Sequence, residues 1–296
     1  MKIAIMGTGG MGGYLGGRLA HAGRDVTFIA RGRQLEAIRQ HGLQVKSAPG
    51  NFLVQPARAT DDPAEVGPVD LILFCVKTYD VTPAAEAMRP MVGPQTAIIP
   101  VLNGVEHIER LGAGLGPAHV LGGLAAITAH VAAPGVIEQI GVHNLLEFGE
   151  MGGGLSERGE TIQQALTVDG ITANAVPNIV ARMWQKFAGI CGLGVLSVVR
   201  GSKEVVWGTP ETRALVHQTM VEVVAVAQAR GIPLATSLPD EIMAFLDGFP
   251  PHFKPSMLVS LERGQRLEVE ALNGDVSRMG QEVGLPTPAN DFIYAV

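Results

Sequence analysis

The sequence predicts an α/β protein with an N-terminal domain built on a doubly wound, mostly parallel sheet and a C-terminal, mostly α-helical domain. In the first half, short apolar runs typical of strands alternate with helical patterns, and that order favours parallel strands joined by crossover helices. After about residue 178 the strand-like runs stop and helical periodicity continues to the end. We therefore expect two domains, residues 1–177 and 178–296.

The first half contains the alternating elements of such a sheet. Met11, Leu15 and Leu19 fall on one helical face, and Gly23 is placed to end that helix. Segment 69–76 is apolar except for Asp70, as expected for a strand covered on both faces. The predicted strands are 2–7, 25–30, 69–76, 96–104 and a pair around a Pro134–Gly135 turn within 119–141, and the predicted helices are 10–22 and 34–42.

The second half reads as a series of helices. In segment 209–231, Thr209 is a possible N-cap, Pro210 suits the first helical position and Gly231 suits the end. The other predicted helices are 180–201, 240–248, 255–264 and 269–284. We expect the substrate of such a protein to bind in a cleft between its sheet domain and its helical domain.

Composition limits the possible functions. The chain has 296 residues, 47% hydrophobic and 17% charged, so it can bury a sizeable core. Its net charge of −6 argues against nucleic-acid partners, and no polybasic run suggests a membrane surface. Cys75 and Cys191 lie among apolar neighbours and fit a reducing compartment. Because we find no signal peptide and no unbroken apolar run of about 20 residues, we expect a cytoplasmic protein.

A glycine motif joins the first strand to the first helix. Gly7, Thr8, Gly9, Gly10, Met11 and Gly12 match GxGxxG in the context that a dinucleotide-binding motif requires. The glycines would permit a tight turn, close approach of a pyrophosphate and close packing of the helix, whose N-terminus attracts the anion. We therefore predict a Rossmann-type domain; the alternative interpretation is a glycine-rich turn without a ligand.

The end of the second strand indicates which dinucleotide binds. An NAD enzyme usually has an acidic residue there for the ribose hydroxyls, but this strand is followed by Arg31 and Arg33. A guanidinium suits a 2′-phosphate, so we predict NADP(H) as the cofactor. The alternative is a solvated basic turn. The eight histidines show no metal-ligand spacing, and we predict no metal site.

One lysine directly precedes a long apolar segment. Lys186 precedes thirteen uncharged residues, 187–199, and a lysine is seldom fully buried without a partner. There are two interpretations of Lys186. It begins a helix and keeps its amine solvated, or its positive charge takes part in a reaction.

Several motifs together resemble one enzyme family. They are the glycine motif with Arg31, CVKTYD at 75–80, LNG at 102–104, WQKF at 184–187 and PSMLVSLERGQRLEVEALNG at 255–274. The chain resembles, over nearly its whole length, the ketopantoate reductases, also called 2-dehydropantoate 2-reductases. These enzymes reduce a 2-keto acid with NADPH in pantothenate synthesis.

The resemblance implies a role for each matching residue. Lys186 matches the catalytic lysine, Glu268 the glutamate that contacts the substrate hydroxyls, and Ser256 the serine that binds the substrate carboxylate. Lys77 and Asn103 would line the cofactor cleft near the ribose and nicotinamide, with Asn103 also near the substrate. The alternative is a purely structural role: Ser256 would begin a helix, and Lys77 and Asn103 would be ordinary turn residues. Glu270 is the alternative to Glu268, although the spacing from Ser256 favours Glu268.

The sequence also departs from the family pattern. The family usually has asparagines four and eight residues after the lysine and three residues before the serine, where this chain has Ile190, Gly194 and Phe253. A site that loses hydrogen-bonding groups discriminates polar substrates less well. From the resemblance we expect ketopantoate as the substrate. Because of the three replaced asparagines, a more apolar 2-keto acid is the alternative. A dehydrogenase working in the oxidising direction and a non-catalytic NADPH-binding regulator also remain open, as does a homodimer.

Overall fold

The computed structural model describes residues 1–296 and contains two compact units. The first unit comprises Met1–Leu102 and His107–Ile179, and the second comprises Asn103–Glu106 and Val180–Val296. The chain thus divides at Ile179, with one exception. The short segment Asn103–Glu106, which we call the Asn103 segment, belongs to the second unit although both of its chain neighbours belong to the first.

The first unit contains all ten strands. They are β1 (Lys2–Met6), β2 (Asp25–Ile29), β3 (Leu43–Lys46), β4 (Phe52–Val54), β5 (Ala59–Thr60), β6 (Val69–Phe74), β7 (Val92–Pro100), β8 (Gly122–Ala133), β9 (Val136–Gly149) and β10 (Thr172–Ala175). Its helices are α1 (Gly10–His21), α2 (Gly32–His41), α3 (Val81–Ala87), α4 (His107–Leu115) and α5 (Glu157–Leu166).

A five-stranded parallel sheet in the order β5-β2-β1-β6-β7 forms the centre of the first unit. Its central strand β1 pairs with β2 and β6, and residues 3–6 of β1 are buried. Burial on both faces explains why β1 is apolar after Lys2 and β6 is apolar after Asp70. The predicted α/β class with a parallel sheet is confirmed.

A second, mixed sheet was not predicted. The antiparallel pair β8 and β9 turns at Pro134–Gly135 as expected, but β9 also pairs in parallel with β3 and β10, and β3 pairs with β4. The strands β3, β4 and β10 are three or four residues long, too short for an alternating pattern to be recognised. Their extended conformation depends on pairing with residues far away in the sequence, directly with β9 or through β3.

The second unit is helical. Its elements are α6 (Ile179–Gly192), α7 (Gly194–Val199), α8 (Lys203–Trp207), α9 (Pro210–Ala229), α10 (Leu238–Asp247), α11 (Ser256–Glu262), α12 (Asn273–Val283) and α13 (Pro288–Ala295). The predicted helix 180–201 is broken at Leu193 into α6 and α7, and the predicted helix 269–284 is a 3-10 turn, Val269–Ala271, followed by α12.

Helices α6 and α7 form a long apolar segment. Residues Ile179–Val199 are long and apolar enough, by length and composition only, to cross a membrane. The most apolar window of this segment is 56% buried within the protein. Phe187, Ala188 and Cys191 belong to a core shared with residues of α9 and α12. We therefore interpret the segment as part of the core of the second unit.

Candidate active site

The glycine motif forms a tight turn between β1 and α1. Gly7 has a φ of +97°, a conformation that side-chain-bearing residues rarely adopt. A Cβ at Gly12 would overlap the carbonyl oxygen of Gly7, so only glycine lets the helix approach the strand this closely. The buried Thr8 hydroxyl donates to the Ile29 carbonyl at 2.9 Å and ties the turn to β2.

The N-terminus of α1 is open. Gly9 is exposed, and a Cβ added there would meet no atom within 4 Å. The helix has no side-chain N-cap and no acidic residue in its first turn. Gly10 lies against the Ala129 carbonyl of β8, and Met11 packs on the core, which holds the helix in place. Free backbone amides and the positive helix end therefore fit an anionic group such as a dinucleotide pyrophosphate.

Two cationic positions share an edge of the sheet with this turn. Met6 at the end of β1 lies opposite Ile29 of β2 and Phe74 of β6, so the three strands end at the same level. Arg31 follows β2, at the N-cap of α2, and Lys77 follows β6; both are exposed. Ligands of open parallel sheets bind at this carboxyl edge.

Lys186 lies on α6, in the second unit, and is half-buried. Burial of its ammonium lowers the pKa to about 8, and the carboxylate of Glu268 acts in the opposite direction and raises it. An amine with this pKa is mostly protonated at neutral pH but releases its proton far more readily than an exposed lysine. It therefore suits general acid catalysis near neutral pH.

The structure distinguishes the two candidate glutamates. Glu268 is half-buried at the start of the 3-10 turn Val269–Ala271, and its charge acts on Lys186. Glu270 is exposed, and its carboxylate accepts a hydrogen bond of 2.7 Å from the Tyr294 hydroxyl. The geometry therefore favours Glu268 as the partner of the lysine.

The Asn103 segment packs beside the same turn. Gly104 has a φ of +85°, and a Cβ there would lie 2.7 Å from the Ala271 carbonyl oxygen. Asn103 itself is half-buried. Asn103 therefore belongs to the second unit, in a segment that packs beside the turn that begins with Glu268. Ser256 is exposed as the first residue of α11, after Pro255.

Of the three positions that depart from the family pattern, Gly194 is crowded by neighbouring helices, and Ile190 and Phe253 pack in apolar surroundings. A Cβ at Gly194 would lie 2.9 Å from Asn273 Oδ1 and 3.1 Å from Ile293 Cγ2, so a larger residue needs neighbouring atoms to shift. Ile190 packs against the core of the second unit. Phe253 packs on an adjoining apolar cluster, and its ring centroid lies 4.7 Å from that of Phe249 in an edge-on arrangement.

Two charged residues, Glu106 at the end of the Asn103 segment and Arg278 opposite it, were not predicted. Glu106 Oε1 lies 2.6 Å from Arg278 of α12. The two residues are far apart in sequence and belong to no short motif, so only the fold could bring them to attention.

Comparison with known proteins identifies the family. One family model, described as ketopantoate reductase PanE/ApbA, matches residues 3–153, and a second, for the C-terminal part of the same enzymes, matches residues 178–296. This chain belongs to the ketopantoate reductase family. The predicted family is therefore confirmed, and the chain is an oxidoreductase.

Individual relatives agree with this assignment to the ketopantoate reductase family. A 2-dehydropantoate 2-reductase from Mesorhizobium japonicum is 31% identical over 318 residues, covering 100% of this chain and 96% of the relative. The crystal structure of a PanE/ApbA family ketopantoate reductase from Ralstonia eutropha JMP134 superposes with a TM-score of 0.91 at 29% identity, covering 100% and 96% of the two chains.

A third relative has the same fold and a different name. The ternary structure of a D-mandelate dehydrogenase with NADH and anilino(oxo)acetate superposes with a TM-score of 0.90 at 24% identity, covering 100% of this chain and 96% of the other. Proteins with the ketopantoate reductase fold thus include one that holds NADH and carries the name of another substrate.

Proposed function

We propose that this protein reduces a 2-keto acid to the 2-hydroxy acid with NADPH, and that its substrate is 2-dehydropantoate, which gives pantoate in pantothenate biosynthesis. The observation that carries the proposal is the half-buried Lys186, whose pKa burial lowers to about 8 against the charge of Glu268. The name of the Mesorhizobium japonicum relative supports the choice of substrate. The proposed location of the reaction is the cytoplasm.

In this proposal the first unit holds the cofactor. The open N-terminus of α1 and the backbone of Gly7–Gly12 bind the pyrophosphate, and Arg31 binds the 2′-phosphate by charge-assisted hydrogen bonds. Lys77, at the end of β6, contacts the ribose. When bound, NADPH supplies the hydride.

The second unit supplies the groups for the keto acid. Lys186 polarises the keto oxygen and donates a proton to it as negative charge develops. Glu268 keeps the lysine ammonium charged and accepts a hydrogen bond from a substrate hydroxyl. Ser256 binds the substrate carboxylate, and Asn103 orients the reacting groups. Catalysis then rests on orientation and electrostatics.

The specific substrate is tested by a panel of keto acids. Purified protein with NADPH should reduce ketopantoate faster than it reduces ketoisovalerate or benzoylformate. The rate is measured as the loss of NADPH absorbance. Preference for an apolar keto acid would overturn the ketopantoate assignment and keep the reaction type. No turnover of any member would leave only a non-catalytic NADPH-binding protein.

A more apolar 2-keto acid is the second candidate. Gly194 and the aromatic pair Phe249–Phe253 favour it, because none of these three residues itself carries a side-chain hydrogen-bonding group. A pocket lined in this way would lose affinity for polar substrates and gain apolar contacts. The same panel distinguishes the two candidates.

The choice of cofactor is tested at Arg31. Arg31→Asp should raise the Kd for NADPH about 10- to 100-fold, because it removes charge-assisted bonds and adds a repulsive charge next to the phosphate. The Kd for NADH should change much less. Arg89→Asp makes the same charge change at another exposed position of the first unit and should alter neither. Equal losses for both cofactors in Arg31→Asp would mean that Arg31 does not bind the 2′-phosphate.

The state of Lys186 is tested by pH. If its ammonium is the acid, kcat/KM should fall as the pH rises through about 8, since the proton is lost there. Glu268 raises the pKa of Lys186, so in Glu268→Gln the fall should occur at lower pH. An unshifted profile in that variant would show that the two side chains are not coupled.

A further inference from the structure

A charge cluster lies where the Asn103 segment meets α12. Arg278 Nη2 is 2.6 Å from Glu106 Oε1 and 2.7 Å from Asp275 Oδ1, and Nη1 is 3.3 Å from Glu282 Oε1. Asp275 is buried, with only 3% of its surface exposed, whereas the Glu282 side chain is about half exposed to solvent. One guanidinium therefore joins the carboxylate of the Asn103 segment to a buried carboxylate of α12.

The rest of the segment is attached to the same part of the second unit. The Gly104 backbone lies so close to the Ala271 carbonyl that a side chain there would collide with it, and Val105 packs against the apolar core that contains Leu272 and Val276. Three successive residues after Asn103 thus make a backbone contact, an apolar contact and an ion pair.

We infer that Glu106, Arg278 and Asp275 are positioning residues that hold Asn103 beside the turn of Glu268. The inference rests on the proposed function, in which Asn103 orients the reacting groups. The cluster itself touches neither substrate nor cofactor in this scheme and acts through the Asn103 segment.

The electrostatics explain why the arginine is the central member. The pKa of Asp275 is raised to about 6, chiefly by burial; Arg278 acts to lower it and Glu106 acts to raise it. Without Arg278, the carboxylates of Glu106 and Asp275 would face each other with no cation between them, and their repulsion would loosen the attachment of the Asn103 segment. Loss of Glu106 alone removes one ion pair and creates no repulsion.

The experiment compares variants of the full-length protein. Arg278→Gln should lower kcat/KM for the keto acid about 10-fold and Glu106→Gln about 3-fold, as expected for loss of a partly buried charge pair. The double variant Glu106→Gln/Arg278→Gln should be less impaired than Arg278→Gln, because the repulsion is gone. Arg278→Lys should recover part of the activity. Arg213→Gln, which breaks the Arg213–Asp247 pair of 3.0 Å in the same unit, is the matched control and should keep full activity.

A double-mutant cycle separates positioning from general stability. In an Asn103→Ala background, Glu106→Gln should cause no further loss of kcat/KM, because the group that it positions is absent. A full Glu106→Gln loss in that background, or unchanged activity in Arg278→Gln, overturns the inference and leaves the proposed function standing.

Hydrogen exchange provides a readout that needs no turnover. Amides of residues 101–106 should exchange faster in Arg278→Gln than in the wild type and in Arg213→Gln. A wild type without reductase activity refutes the proposed function. In that case faster exchange still supports the attachment of the segment by the cluster, and unchanged exchange refutes it.

Discussion

Lys186→Ala is expected to lower kcat for keto acid reduction about 1000-fold, because it removes both the proton donor and the charge that stabilises the developing alkoxide. The Kd for NADPH should change less than about twofold, since the proposed cofactor contacts lie on the glycine turn, Arg31 and Lys77. Steady-state rates and fluorescence titration with NADPH measure the two quantities separately.

The control for this variant is Lys46→Ala, an identical substitution at an exposed position of β3. It should leave both quantities unchanged. Retained turnover in Lys186→Ala would remove the lysine from the catalytic role. A wild type that binds NADPH without turning over any keto acid would favour the non-catalytic regulator.

The second large effect concerns stability. Glu222 of α9 is 4% exposed and accepts hydrogen bonds from the backbone N–H groups of Ala289 and Asn290 at 3.0 and 3.1 Å, and from the Asn290 side chain at 2.8 Å. It thereby satisfies the first turn of α13, whose N-cap has no side-chain bond. Glu222→Ala should lower the unfolding free energy of the second unit by about 3 kcal/mol or more, because buried donors are left unsatisfied.

The measurement is urea unfolding followed by tryptophan fluorescence. The two tryptophans of the chain, Trp184 and Trp207, both lie in the second unit, so the signal reports that unit. Glu211→Ala, an exposed position of the same helix, should cost less than about 1 kcal/mol through the helix dipole. Equal costs for the two variants would show that the buried hydrogen bonds of Glu222 contribute little.

The elements that the sequence predicted well are those with strong local patterns. Strands β1, β2 and β6 are short apolar runs, and α1 and α9 show helical spacing between a start signal and a glycine, so each can be recognised without knowing its neighbours. The glycine motif also has a local cause, because its turn and its close helix packing require particular residues in a short stretch.

Other features have no local signal. The break at Leu193 between α6 and α7 falls inside a continuous apolar pattern, and a Cβ at Gly194 would meet Asn273 and Ile293 from other helices. The sequence named Lys186 and Glu268 as candidates and favoured Glu268 over Glu270 by its spacing from Ser256, but no local pattern shows which of the two glutamates acts on the lysine. Tyr294, from α13, is the residue that engages Glu270.

The sequence by itself determined the α/β class of the first half, the position of the dinucleotide motif and the helical nature of the second half. These follow from periodicity, glycine stereochemistry and apolar runs, which act over a few residues. Only the tertiary structure decided that the Asn103 segment belongs to the second unit, that Arg278 joins Glu106 to Asp275, and that Glu222 serves the last helix. Those features depend on contacts between residues distant in sequence, which bury charges and hydrogen-bonding groups that no local pattern pairs.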